Sequence, residues 1–100
     1  MRITPELTNE DVLHEMGVRI ARRRIGYGMT QAMLAEEAGI GKRTLERIER
    51  GESAQVATLI RVLRRLGSFN ELDMLVPEPS NEEALDANGR LRLRASPRAA

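Results

Sequence analysis

Apolar residues recur through most of this chain at steps of three and four, the period of helices that bury one face. Leu13, Met16, Ile20 and Ala21 mark a first helix, which Thr8 or Asn9 caps and which runs to about Arg24. Glu10 and Asp11 in its first turn match the positive end of the helix dipole, and Gly26-Tyr27-Gly28 stops it. Thr30 caps a short second helix, Gln31 to about Ala38, with Leu34, Ala35 and Ala38 on one face. A third helix runs from Lys42 to Arg50, with Leu45 and Ile48 facing inward and Gly51 closing it. A fourth, from about Gln55 to Leu66, carries Leu59, Val62, Leu63 and Leu66 and stops at Gly67. A brief fifth, about Phe69 to Leu75, ends at Val76-Pro77 and Pro79. The pattern predicts an all-α domain of five helices over residues 9–76, an N-terminal arm over 1–8 that holds Pro5, and a C-terminal tail over 77–100.

Residues 30–50 meet the demands of a helix-turn-helix, two short helices crossing steeply about a tight turn. Ala35 is small where the two helices come closest, and Gly39 sits where the turn needs positive φ. Ile40, Leu45 and Ile48 are placed to plug the pair into a core with Ile20, Leu34, Leu59 and Leu63. Such a motif seats its second helix, here Lys42 to Arg50, in the major groove of double-stranded DNA.

Charge agrees with that reading. The formal net charge is +1, but residues 1–16 are acidic (Arg2 against Glu6, Glu10, Asp11 and Glu15), and so, on balance, are residues 67–100. The excess of base is concentrated between, where Arg19, Arg22, Arg23, Arg24, Lys42, Arg43, Arg47, Arg50, Arg61, Arg64 and Arg65 outnumber Glu36, Glu37, Glu46, Glu49 and Glu52. A basic centre in a nearly neutral chain is the footprint of a polyanion-binding surface. In the tail, residues 77–89 hold acids and no bases while residues 90–100 hold arginines and no acids; Arg90 to Arg94 alternates with period two and is suited to forming a strand against a partner.

With Leu45 and Ile48 inward, helical geometry turns Lys42, Arg43, Glu46 and Arg47 outward. Arg43 and Arg47, four apart on one face, suit guanine O6 and N7. Lys42 reads a base or holds a phosphate, and Thr44 touches a thymine methyl or a phosphate oxygen. Glu46 accepts from a cytosine amino group, or orients a neighbouring Arg and repels the DNA backbone elsewhere, the second role being favoured. Thr30 and Gln31, at the start of the second helix, and Arg50, just before Gly51, are expected on phosphates. Arg22 and Arg23 are either further phosphate contacts or a solvated face.

One such helix reads few base pairs, whereas two copies about 34 Å apart read a palindrome, so a homodimer is expected. Leu66, Phe69, Leu72 and Leu75 are its interface candidates, with packing inside one monomer as the alternative. There is no cysteine, the single histidine, His14, has no partner motif, and no apolar stretch approaches a membrane span. These features predict a cytoplasmic protein that is not an enzyme, needs no cofactor or metal and engages no membrane.

The run Thr30-Gln31-Ala32-Met33-Leu34-Ala35-Glu36-Glu37-Ala38-Gly39-Ile40, with Arg43-Thr44-Leu45-Glu46-Arg47-Ile48-Glu49-Arg50-Gly51, resembles the phage-repressor-like helix-turn-helix family of the Xre or Cro/C1 type. The resemblance implies a five-helix lambda-repressor-like DNA-binding domain acting as a dimer on a palindromic operator. It implies that Arg24 and Glu49 form a structural ion pair tying the first helix to the third. Gly41 departs from the family's usual Ser or Thr, which implies one backbone contact fewer. The fourth and fifth helices and the acidic-then-Arg tail resemble a narrower group, the HipB-like antitoxins, whose partner is a HipA-like serine/threonine kinase toxin. A stand-alone Xre-type regulator is the alternative, and a protein-binding scaffold without DNA function is the third reading.

Overall fold

The structure, a computed structural model, describes residues 1–80. It contains α1 (Asn9–Gly26), α2 (Gln31–Ala38), α3 (Lys42–Glu49), α4 (Val56–Arg65) and α5 (Phe69–Leu75), with no strand among the described residues. The alternating segment Arg90 to Arg94 and the acids beyond Ser80 lie outside the described residues.

Local chemistry accounts for the helix starts. Thr8, not Asn9, caps α1: its hydroxyl accepts from the Asp11 N–H at 3.0 Å while the Asp11 carboxylate accepts from the Thr8 N–H at 3.3 Å. Each group satisfies a donor that a helix end leaves free. Thr30 caps α2 by accepting from the Met33 N–H at 3.1 Å. Gly41 begins α3 without any side-chain hydrogen bond, as its missing side chain requires. At the other ends, α1 runs on to Gly26 rather than stopping near Arg24, and Arg50 lies one residue past α3 as its C-cap. Gln55 and Leu66 likewise flank α4 rather than belonging to it.

α3 packs on α1 and α2, α2 on α4, and α4 on α5. The buried core is Ile20, Met29, Leu34, Ala35, Leu45, Ile48, Val62 and Leu66, with Ala38, Ile40, Leu59 and Leu63 half-buried at its margin. Leu66 is therefore not an interface residue. It is 0% exposed, and its carbonyl accepts from the Tyr27 hydroxyl at 3.0 Å, which draws the end of α4 against the end of α1. Arg23 strengthens that junction by donating to the Ser68 hydroxyl and pairing with Glu71 at 4.0 Å. Phe69 and Leu75 are 54% and 67% exposed, and Leu72 is half-buried.

Two glycines let α1 approach the far end of α3. A Cβ on Gly17 would stand 2.5 Å from the Glu49 carbonyl oxygen and 2.6 Å from that of Ile48. Gly51, at φ 89°, lies against the backbone of His14, where a Cβ would come within 2.7 Å of the Cα. Helices α1 and α3 thus touch backbone to backbone.

The expected arm is tied back along α1. The Met1 ammonium lies 3.3 Å from Glu15 Oε2, which also accepts from Arg19 Nε at 3.0 Å, while Arg19 Nη2 donates to the Met1 carbonyl at 2.7 Å. Chiefly through the Arg19 hydrogen bond, and with the ammonium adding to it against desolvation, the Glu15 carboxyl is held below its ordinary value. A depressed folded pKa adds stability above the unfolded value, and that increment disappears as pH falls through the folded one. Urea unfolding of the wild type and Glu15→Gln should therefore differ near neutral pH and converge in acid; a gap that does not change with pH would contradict the role given to this carboxylate.

Candidate nucleic-acid interface

The turn between α2 and α3 is built around Gly39, which adopts the left-handed conformation at φ 75° and lets the Ile40 N–H return to the Ala35 carbonyl at 2.9 Å. This is the geometry a β-carbon opposes. Arg61 of α4 holds the turn from outside, donating through Nη1 to the Gly39 carbonyl at 3.0 Å. Leu45 and Ile48 anchor α3 in the core, so its opposite face looks to solvent.

On that face Lys42, Arg43 and Arg47 are exposed, and Thr44 and Glu46 are half-buried. Lys42 pairs with Glu46 at 3.5 Å, one helical turn along. The cation paired with Glu46 is thus a lysine, not the expected arginine. Glu52, which sequence reasoning gave no role, sits beside both Arg47 and Arg50, at 3.9 and 3.2 Å. Arg43 has no ion-pair or hydrogen-bond partner among the described residues. Of these four cations it alone has its full hydrogen-bonding capacity uncommitted, whereas the others exchange an intramolecular carboxylate for any ligand.

Behind this face lies a largely buried, hydrogen-bonded polar cluster. Arg24 Nε and Nη2 donate to Glu49 Oε2 and Oε1 at 2.7 and 3.1 Å, and Arg24 Nη1 donates to the Met29 carbonyl at 2.9 Å. The two side chains are 13% and 7% exposed. A fork-to-fork pair of this kind is strong and directional, and its failure would leave a charge stranded. It fixes α1, the loop before α2 and α3 to one another.

Gln31 departs from the expectation of a free phosphate ligand. Its Nε2 donates to Glu49 Oε1 at 2.9 Å, because the start of α2 lies against the end of α3 and the carboxylate has a lone pair to spare. The amide keeps a second N–H, and the Gln31 backbone N–H has no partner among the described residues. Thr30 accepts at its cap and retains its own hydroxyl hydrogen as a donor. Arg50 is 61% exposed beside Glu52. The structure thus brings Gln31 and Arg50 together at the C-terminal end of α3, with Thr30 next to Gln31 in sequence, while Phe69, Leu72 and Leu75 stand on α5.

Sequence reasoning missed Gly17, Arg61 and Glu52. Only Gly17 left a signal, a glycine inside a helix on the face its neighbours bury. Among the described residues no group of His, Cys, Asp and Glu is placed to hold a metal ion, and no helix is long and apolar enough to cross a membrane.

The fold is similar to that of an HTH_3 family transcriptional regulator from Vibrio cholerae, known from its crystal structure, with a TM-score of 0.58 and 25% sequence identity. The similarity covers 81% of this chain and 47% of the Vibrio protein, so this chain spans about half of that regulator's length. No curated protein matches the sequence. The HTH_3 helix-turn-helix model matches residues 20–72, which run from the middle of α1 into α5, and the chain therefore belongs to the HTH_3 helix-turn-helix family.

Proposed function

We propose that this protein is a sequence-specific DNA-binding regulator that represses transcription from a palindromic operator. The observation that carries the reading is the exposed basic face of α3, anchored from behind by Leu45 and Ile48 and bearing an Arg43 with no internal partner among the described residues. Family membership and the likeness to a transcriptional regulator support it. Arg43 and Arg47 read guanines, Lys42, Thr44 and Glu46 complete the base-reading set, and Thr30, Gln31 and Arg50 hold phosphates. A homodimer joined through Phe69, Leu72 and Leu75 supplies the second recognition helix.

A labelled duplex from upstream of the protein's own gene tests this by fluorescence anisotropy. The expected result is binding that is tighter than to a scrambled duplex, stronger for a palindrome than for one half-site, and steeply weakened as salt rises, because each neutralised phosphate releases counterions. Equal affinity for all duplexes would remove the sequence-specific regulator and leave a non-specific DNA binder, and binding to none would leave a protein-binding scaffold.

The finer assignment is an antitoxin that autoregulates its operon and neutralises a HipA-like serine/threonine kinase. It rests on the leucine pattern of α4 and α5 and on the acidic-then-Arg run after Pro77. A stand-alone regulator is the alternative, and the likeness to the Vibrio protein favours it equally. A kinase gene of that type beside this one selects the antitoxin, and an unrelated neighbour selects the stand-alone regulator.

A further inference from the structure

Arg22 and Arg23 are adjacent in sequence, and the fold sends them to different tasks. Arg23 is committed to the α4–α5 junction through Ser68, the Leu66 carbonyl and Glu71. Arg22 is exposed and has no ion-pair or hydrogen-bond partner among the described residues. It lines an open groove of about 560 Å³ between α1 and α3, floored by Val18, Ala21 and Ile25. Gln31 and Arg50, two of the three side chains assigned above to phosphates, line the same groove.

The charges in this groove do not cancel. Glu49 is neutralised by Arg24 and Glu46 is paired with Lys42, and neither of those cations is among the groove's lining residues. Arg50 is likewise paired, with Glu52 at 3.2 Å, so the guanidinium left uncompensated is that of Arg22, beside the Gln31 amide. An α-helix of about 10–12 Å diameter fills a major groove about 12 Å wide. An exposed surface that flanks a recognition helix, rather than backing it from the core, therefore faces the groove's walls, which are phosphodiester backbone. α1 packs alongside α3.

We propose that the α1–α3 groove is a seat for the phosphodiester backbone of the bound duplex, with Arg22 as its dedicated cation. The assignment rests on the DNA-binding reading and extends the interface from the helix-turn-helix onto α1. Arg22 adds affinity without sequence preference, since a phosphate carries no base identity.

The test is a salt titration of the full chain by fluorescence anisotropy, on the upstream duplex and on a scrambled duplex of equal length. Arg22→Ala and Arg22→Gln should each make the slope of log K against log salt shallower by about 0.9 for each protomer bound, about 1.8 for a dimer on the duplex, and weaken both duplexes by the same factor. Arg22→Lys should keep the wild-type slope. Arg65→Ala, which removes one charge from the α4–α2 pair with Glu37, should also keep it. A wild-type slope in both neutral Arg22 variants would overturn the proposal, as would an equal drop in Arg65→Ala, which would mark a net-charge effect. A wild-type protein with no salt-dependent binding would instead overturn the DNA-binding reading, and this proposal with it.

Discussion

Removing both guanidinium groups from the outer face of α3, by Arg43→Ala together with Arg47→Ala, is expected to lower affinity for the preferred duplex by roughly 30-fold to 10⁴-fold per half-site at constant salt. Each bidentate contact to a guanine edge is worth about 1–3 kcal/mol of discrimination, and the two residues lie one turn apart on the same face. Arg43 should carry the larger share, because Arg47 must first give up Glu52 at 3.9 Å. Affinity for a scrambled duplex should fall much less, so the ratio between the two duplexes moves towards one. Both side chains are exposed, and truncating them should leave thermal stability within about 0.5 kcal/mol of the wild type. Anisotropy titrations on the two duplexes, with a melting curve for each variant, check all three statements. A specificity ratio unchanged in the double variant would remove α3 as the reader.

Gly17→Ala should destabilise the domain by about 3 kcal/mol, the upper end of what overpacking a core costs, with a fall in Tm on the order of 15 °C. Helix propensity alone predicts the opposite sign, since glycine inside a helix is worse than alanine by about 1 kcal/mol. Packing wins because the new Cβ would meet the carbonyl oxygens of Glu49 and Ile48 at 2.5 and 2.6 Å, and backbone atoms have no rotamer to escape into. α1 and α3 must separate, which pulls on the Arg24–Glu49 pair between them. Gly26→Ala is the matched control. A Cβ there meets nothing within 4 Å, and φ is not positive, so the substitution should be neutral or stabilise by up to about 1 kcal/mol. Urea unfolding of the two variants should give shifts of opposite sign; shifts of the same sign would show that the close crossing of α1 and α3 does not govern stability.

The contrast between these two glycines marks what the amino-acid order reveals by itself. Thr30 and Gly39 act on groups within a few residues along the chain, so their roles follow from local hydrogen-bond geometry and could be read directly, whereas for the cap of α1 the sequence offered Thr8 and Asn9 alike. The inward faces of α2 and α3 followed from periodicity for the same reason, and with them the outward set Lys42, Arg43, Glu46 and Arg47. Gly17, Arg61 and Leu66 act across helix crossings, and their roles depend on which elements meet and how closely. Leu66 looked like surplus apolar area on a short helix, but the hydrogen bond from Tyr27 to its carbonyl turns that end of α4 inward. Glu52 follows a glycine in a loop, and nothing in its neighbours' spacing announces that it stands beside two arginines of the recognition face. Gln31 was legible as the start of α2 but not as a partner of Glu49, because that contact requires α2 and α3 to be docked first.

The claim that the first turn of α3 reads guanine edges is tested most directly by methylation interference. Methylating guanine N7 places a methyl group at the acceptor an arginine would use in the major groove. On the duplex that the wild type prefers, methylation of particular guanines in each half-site should block binding, and at least one of those guanines should become indifferent to methylation in Arg43→Ala. A pattern of interference identical in the wild type and in Arg43→Ala, or no guanine that interferes at all, would contradict the account.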